Sequence, residues 1–174
     1  EKIEKIEIDK KCISGVKTNV RSYKCDFVIS NMDIAFTYQK LLTQEWQPKK
    51  ILAQEKSSSA IVFYWGIKKI FPELNVHNMI FSDADRKEFD AVFNDKLISN
   101  EPSLYLYVSS KIAKSDAPEG CENWFVSMNA PIHQGQDWDA IIDIQREFVI
   151  EKLSKTLNVD VRSLIECEKI LEPR

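Results

Sequence analysis

The side chains of this sequence that could carry acid–base or metal chemistry are few and widely spaced. The two histidines, His77 and His133, lie far apart, and neither has a carboxylate or cysteine at metal-ligand spacing. The sequence therefore predicts no metal site. His77 falls in a strand-like segment, where it is either a hydrogen-bonded residue near the sheet edge or a polar group on a pocket wall. His133 falls in a loop, where we expect it to be solvated.

Two pairs of aspartates, Asp83 with Asp85 and Asp137 with Asp139, have spacings that could serve as paired carboxylates. Both pairs stand where helical patterns begin, and acidic side chains are favoured at helix N-termini. We therefore interpret them as capping residues. The serines at 57–59 lack the Gly-x-Ser-x-Gly pattern of a nucleophile elbow. The residues alone thus identify no catalytic group.

Composition excludes several classes of function. The chain has four glycines, all isolated, so neither a GxGxxG loop nor a Walker loop can occur. A net charge of −3 argues against nucleic acid as a partner, because phosphate binding needs a basic surface. Four cysteines without CxxC spacing are expected to be reduced thiols of a cytosolic protein. No apolar run reaches the ~20 residues that would span a bilayer.

The segment SSSAIVFYWGIKK, residues 57–69, is apolar on both strand parities. A half-buried strand alternates apolar and polar side chains, so this strand is expected to be covered on both faces. Its own core can cover one face. The second face is covered either by ordinary core or inter-domain packing, or by a large apolar ligand. The aromatic residues concerned are Tyr64, Trp65, Tyr105, Tyr107 and Trp124.

The periodicity of the chain predicts an α+β fold. We expect a mostly antiparallel mixed sheet of about four strands with helices packed on one face, preceded by a three-strand unit. A helix is expected to begin near Asp33, a plausible N-cap. The predicted strands are 3–8, 12–18, 23–30, 59–67, 76–82, 103–110 and 121–131, followed by a helix over 138–157, a helical turn over 160–165 and an extended tail. The predicted domains are 1–30 and 31–174. Because the sequence starts abruptly in a strand pattern without methionine, we expect a piece of a longer protein.

Four blocks of the sequence, in order, resemble the phytoene desaturases of bacteria and fungi. CDFVISNMDIAFTYQKLL (25–42) is similar to their A-D-x-V-I-S-N-A-D segment, with Met32 in place of the usual alanine. The next two blocks of those enzymes are similar to SSSAIVFYWGIKKIFPELNVHNMIF (57–81) and to residues 89–131, which contain SDAPEG. The last is DWDAIIDIQREFVIEKL (137–153). The resemblance extends over nearly the whole chain.

The resemblance implies an FAD-dependent oxidoreductase of the amine-oxidase-like superfamily that introduces double bonds into a long carotenoid precursor. It implies that residues 1–30 belong to the FAD domain and that 31–174 bind the substrate. It also implies a cytoplasmic, peripheral membrane protein, since phytoene dissolves in lipid. The glycine-rich loop of the FAD domain is missing from this sequence. We therefore expect residues 1–174 alone neither to bind FAD nor to be active, and the partners to be the carotenoid, the remaining FAD domain and a membrane surface.

Site residues carried over by the resemblance are few. Ile3 corresponds by position to a residue that approaches the adenine of FAD. The expected substrate wall consists of Tyr64, Trp65, His77 and Trp124. The alternative is an apolar-ligand or inter-domain module of another flavin oxidoreductase, namely a later-carotenoid desaturase, a saturase or an amine oxidase. A lipid-carrier or scaffold domain without chemistry is a third possibility, and only the intact protein's retention of carotenoid would separate these.

Overall fold

A computed structural model describes residues 1–43, 47–82 and 85–174 of the chain. The chain divides into two compact units, Glu1–Glu55 and Lys56–Arg174. The sequence predicted a boundary after residue 30, whereas the first unit also contains the helical segments up to residue 55. Of the two predicted aspartate pairs, Asp83 lies outside the described residues.

The first unit begins with a three-stranded antiparallel sheet in the order β1-β2-β3. Its strands are β1 (Ile3–Asp9), β2 (Cys12–Thr18) and β3 (Ser22–Lys24). Lys10 and Lys11 both have positive φ, which is the backbone of the two-residue hairpin turn that matches strand twist. The third strand is shorter than the predicted 23–30.

Helical segments complete the first unit. Helix α1 (Ile34–Phe36) starts at the predicted N-cap, where the Asp33 carboxylate accepts hydrogen bonds from the backbone N–H groups of the first turn. A π-helical segment, Thr37–Leu41, follows it, and α2 covers Lys49–Leu52.

The second unit is built on a five-stranded sheet in the order β5-β6-β7-β4-β8. Every pairing in it is antiparallel. The strands are β4 (Ser59–Ile67), β5 (His77–Ile80), β6 (Leu104–Tyr107), β7 (Glu122–Ala130) and β8 (Ile165–Leu171). The α+β prediction is confirmed, with a fifth strand where the sequence indicated an extended tail.

One face of this sheet carries the core. The core residues of β4, β6 and β7 alternate along each strand and pack with helix α4 (Trp138–Leu157). The α4 residues in the core are Trp138, Ile142, Val149, Ile150 and Leu153. Asp137 caps α4 by accepting a hydrogen bond from the Ala140 N–H at 3.2 Å, which agrees with the capping interpretation of that aspartate. Asn158 ends the helix in the left-handed conformation.

Shorter helical segments join the strands. Helix α3 (Asp85–Asp90) continues into a π-helical segment, Ala91–Asp95. The buried Glu88 of α3 accepts hydrogen bonds from Ser103 N and Asn129 Nδ2, so it fixes α3 to β7 and to the residue preceding β6. Single 3-10 turns lie at Ser109–Lys111, Lys114–Asp116 and Arg162–Leu164.

Candidate functional site

The second face of the five-stranded sheet carries a row of aromatic rings. His77, Tyr107, Phe125 and Tyr64 are successive partners in the register across β5, β6, β7 and β4. The rings of His77 and Tyr107 stack at 5.2 Å, and Tyr64 meets Phe125 edge-on at 5.4 Å. We call these four residues the aromatic row. They share one face because cross-strand partners project to the same side of a sheet.

Tyr105 extends the aromatic row along β6. Its ring lies 6.2 Å from that of Phe125, and its hydroxyl is 2.7 Å from Nδ1 of His77. Tyr64 remains 42% exposed, and His77 is exposed as well. Val62, on the same side of β4, is buried. The face is therefore an apolar surface whose aromatic rings are still accessible.

Trp65 and Trp124 lie on the other side of the sheet. They are directly paired across β4 and β7, are 2% and 1% exposed, and belong to the core with α4. Their indole N–H groups donate to the carboxylates of Glu168 and Glu122. The two tryptophans therefore do not lie on the surface that carries the aromatic row. Their parity is opposite to that of Tyr64 and Phe125, which the doubly apolar sequence could not reveal.

A cavity of about 510 Å³ opens at one end of the aromatic row. It lies between the sheet and the loop that follows the 3-10 turn at Lys114–Asp116. Its lining includes Tyr64, Trp65, Gly66, Tyr107, Asn123, Trp124, Phe125, Cys167 and Lys169 from the sheet, and Ala117, Pro118 and Cys121 from the loop. The volume is in the range of pockets that bind small organic ligands. Ala117 and Pro118 of the segment SDAPEG thus form one wall of this cavity.

Gly66 lines this cavity at a position where a larger side chain would contact Cys167. A Cβ atom at position 66 would lie 2.5 Å from Sγ of Cys167, its partner on β8. We predict that Gly66→Ala lowers the free energy of unfolding by about 1–3 kcal/mol through this overlap. In a Cys167→Ala background the same change should be neutral or stabilising, since an alanine is favoured over a glycine in a strand by about 0.5–1 kcal/mol. Chemical denaturation of the four variants measures both effects, and an equal cost in both backgrounds would contradict the overlap.

Other chemistry is sparse in the described part of the chain. It holds no group of three or more histidine, cysteine or acidic side chains arranged for a metal ion. All four cysteines, each within the described ranges, are free thiols. His133 accepts a hydrogen bond from Nε1 of Trp138 at 2.8 Å when its Nδ1 is unprotonated, so it supports the start of α4. Among the described residues, no helix has the combination of length and apolar character needed to cross a bilayer.

The chain offers little to a flavin nucleotide. Ile3 lies at the start of β1, opposite Thr18, and is 46% exposed, so its side chain is available to an adenine ring. A pyrophosphate needs the backbone N–H groups of a glycine-rich turn, and the isolated glycines supply none. The residues present therefore offer no cradle for the phosphates of FAD, and the contact of Ile3 with its adenine stays a prediction.

Comparison with known proteins identifies relatives over most of the chain. No protein-family model matches it. A 1-hydroxycarotenoid 3,4-desaturase from Flavobacterium sp. (strain P99-3) is 42% identical over 99% of this chain and 35% of its own length. A phytoene desaturase from Fusarium fujikuroi is 37% identical over 85% of this chain and 30% of its own length. A 4,4'-diaponeurosporene oxygenase from Staphylococcus haemolyticus is 34% identical over 92% of this chain and 33% of its own length.

The chain thus spans about a third of the length of these curated relatives. The names of the relatives divide between desaturases and oxygenases. The resemblance read from the four sequence blocks is confirmed: over most of its length this chain is similar to carotenoid desaturases and oxygenases.

Proposed function

We propose that residues 56–174 form the substrate-binding portion of an FAD-dependent carotenoid desaturase. The observation that carries this proposal is the accessible aromatic row on the sheet face opposite the core, with a cavity at its end. A hydrocarbon polyene has no group for a hydrogen bond, so its binding depends on buried apolar area. Flat aromatic walls supply such area at low cost in side-chain entropy.

The roles of the two partners in the reaction are separate. Desaturation removes a hydride and a proton from the polyene, and FAD, held by the rest of the protein, would supply the hydride-accepting chemistry. The residues of this chain hold the polyene against the sheet and exclude water from it. The rest of the protein supplies the phosphate site that this sequence lacks, and a nearby membrane surface supplies the lipid-soluble substrate. Because desaturation and oxygenation both start from a long polyene, the aromatic face serves either reaction.

The polypeptide of residues 1–174 is expected to be colourless and inactive by itself. Without a glycine-rich turn it has no cradle for the FAD pyrophosphate. Absorbance of the purified polypeptide after incubation with FAD and gel filtration measures this. A flavin spectrum that co-elutes with the protein would contradict it.

The substrate-binding proposal is tested in the intact enzyme by Tyr64→Ala. Loss of roughly 80 Å² of apolar contact is worth about 2 kcal/mol, or about 30-fold in substrate affinity. The measurement is the dependence of the initial rate on carotenoid concentration in vesicles, together with the flavin content per protein. We expect KM to rise while flavin content stays unchanged.

A matched control is Ile144→Ala. Ile144 is 65% exposed on α4, away from the aromatic row, so its removal deletes an apolar side chain of the same unit without touching the proposed surface. Wild-type kinetics in the Tyr64 variant, or an equal loss in both variants, would refute the role of the aromatic row.

A further inference from the structure

The cavity beside the aromatic row is bounded by the loop between β6 and β7, residues 108–121, which we call the β6–β7 loop. Tyr107 and Phe125 of the aromatic row line this cavity together with Ala117 and Pro118 of the loop. An apolar chain that lies on the row and extends into the cavity therefore meets the loop. Because a hydrocarbon has no group that can fix its position by a hydrogen bond, contact with a wall decides how far it extends.

The sheet leaves space for a ligand between the aromatic row and the loop. The next cross-strand line after that of Tyr64 and Phe125 consists of Asn123, Gly66 and Cys167, about 7 Å further along the strands. Gly66 has no side chain, and it lines the cavity. The end of an apolar chain that rests on Tyr64 can therefore occupy the space over Gly66 that the β6–β7 loop bounds.

Asn123 on β7 holds the first half of the β6–β7 loop. Its Nδ2 donates to Oγ of Ser109 at 2.6 Å, and its Oδ1 accepts from the backbone N–H of Ser110 at 2.9 Å. The Ser109 hydroxyl donates in turn to the carboxylate of Asp116. One amide on the sheet is thus connected to the residue that directly precedes Ala117.

A tight turn holds the second half of the loop. The backbone N–H of Cys121 donates to the carbonyl of Pro118 at 3.0 Å, and Gly120 has a φ of +78°. A type II turn has this hydrogen bond and requires a positive φ at its third residue, which favours glycine. The wall formed by Ala117 and Pro118 is therefore fixed from both sides.

Ala117 has the smallest side chain in this wall and is half-buried. Its backbone is extended, with φ −144° and ψ 154°, a conformation that any residue adopts. A larger side chain at this position needs no change of the backbone and takes up volume of the cavity. The size of residue 117 therefore sets the space between the aromatic row and the wall.

We propose that Ala117, on a loop that Asn123 holds in place, limits the length of the polyene that the enzyme accepts. Ala117 is the residue that contacts the end of the polyene, and Asn123 is a positioning residue. The inference rests on the proposed function, because it needs the polyene to lie on the aromatic row. It deepens that function by assigning the choice among polyenes of different length to one wall of the cavity.

The test compares two polyenes in the intact enzyme: phytoene, and 4,4'-diapophytoene, which is one isoprene unit shorter at each end. Initial rates in vesicles give kcat/KM for each polyene, while flavin content and the midpoint of urea unfolding report on folding. We expect Ala117→Leu to lower kcat/KM for the longer polyene by about tenfold, the value of about two methylene groups that no longer find room. The value for the shorter polyene should stay close to that of the wild type.

Two further variants complete the comparison of lengths. Ala117→Gly removes the side chain of the wall and should shift the ratio of the two kcat/KM values toward the longer polyene. Ala113→Leu is the matched control, because Ala113 is a half-buried alanine of the same loop with an extended backbone, outside the described residues that line the cavity. It should leave the ratio unchanged.

Asn123→Ala tests the positioning role. Loss of the amide frees Ser109 and Ser110 from the sheet, so the loop can yield to a bulky residue at position 117. The effect of Ala117→Leu on the ratio should therefore be smaller in the Asn123→Ala background than in the wild-type background. A purely structural role of Asn123 would lower stability and leave that effect unchanged.

The outcomes separate this inference from the proposed function. An equal change for both polyenes in Ala117→Leu, or the same shift of the ratio in Ala113→Leu, would overturn the role of the β6–β7 loop alone. If Ala117→Leu does not fold, Ala117→Gly decides, and an unchanged ratio in that variant overturns the inference. Wild-type protein that turns over neither polyene would overturn the proposed function and this inference with it.

Discussion

Replacing Trp65 with alanine is expected to lower the free energy of unfolding by about 3–5 kcal/mol. The indole is 2% exposed, packs 5.4 Å from the ring of Phe63 and belongs to the core cluster. Its removal leaves a cavity that well-packed neighbours cannot fill. Glu168 accepts hydrogen bonds from Trp65 and from Arg146. The substitution removes the first of these two donors.

The adjacent residue provides the matched comparison. Tyr64 stands on the opposite face of the same strand and is 42% exposed, so Tyr64→Ala should cost much less stability than Trp65→Ala. Urea unfolding of the intact protein, followed by near-ultraviolet circular dichroism, measures both. Similar losses for the two variants would contradict the assignment of Trp65 to the core and Tyr64 to the open face.

Removal of the buried carboxylate of Glu122 is expected to cost a similar amount, about 3–5 kcal/mol. Glu122 is 2% exposed and pairs with Nζ of Lys111 at 2.6 Å. It also accepts hydrogen bonds from the backbone N–H of Phe71 at 3.0 Å and from Nε1 of Trp124 at 2.9 Å. Glu122→Leu leaves the Phe71 N–H and the Trp124 indole N–H without their acceptor, and each buried unsatisfied donor is costly. It also removes the counter-charge of Lys111, whose ammonium group keeps the Phe71 carbonyl as an acceptor.

A double-mutant cycle measures the interaction between Lys111 and Glu122 separately from the other contacts of each residue. Lys111→Met leaves Glu122 with its two neutral donors, and Glu122→Leu/Lys111→Met removes both charges. Because an apolar replacement of a whole ion pair is often tolerated, the double variant should be more stable than Glu122→Leu alone. A double variant as unstable as the sum of the two single variants would show that the charges do not interact.

The sequence predicted the strands of the second unit better than it predicted what they face. β4 and β7 agree with the predicted strands to within a residue, and α4 has the predicted bounds, because each is a long segment rich in apolar residues that ends at polar or turn-forming residues. Both parities of β4 are apolar, so no period distinguished Tyr64 from Trp65. Only the position of α4 decides which side becomes the core.

The position of the substrate-wall residues could be predicted only in part for the same reason. Tyr64 and His77 stand on the open face, whereas the rings of Trp65 and Trp124 are buried in the core. Contact of these four residues with the substrate stays a prediction. Phe125 was not among the four residues of the expected substrate wall. Phe125 lies opposite both Tyr64 and Tyr107 and so connects the other aromatic residues. This register depends on how the strands pair, which the sequence of one strand does not specify.

The strand β8 gave no sequence signal of its own. Its segment IECEKIL places charged residues among the apolar ones, as suits an edge strand that is mostly exposed. It becomes a strand because β4 presents an unpaired edge beside it. Propensity within the segment could not reveal that partner.

That pairing has a consequence for how the protein is made. Trp65 on β4 and Glu168 on β8 are separated by 103 positions, so the strand that carries Tyr64 is synthesised long before its outer neighbour. At ribosomal rates of about 5–20 residues per second, the edge of β4 that pairs with β8 stays without that partner for roughly 5–20 s. Such non-local closure slows folding and leaves a template for wrong pairing meanwhile. Chaperone dependence during synthesis is therefore expected to centre on β4.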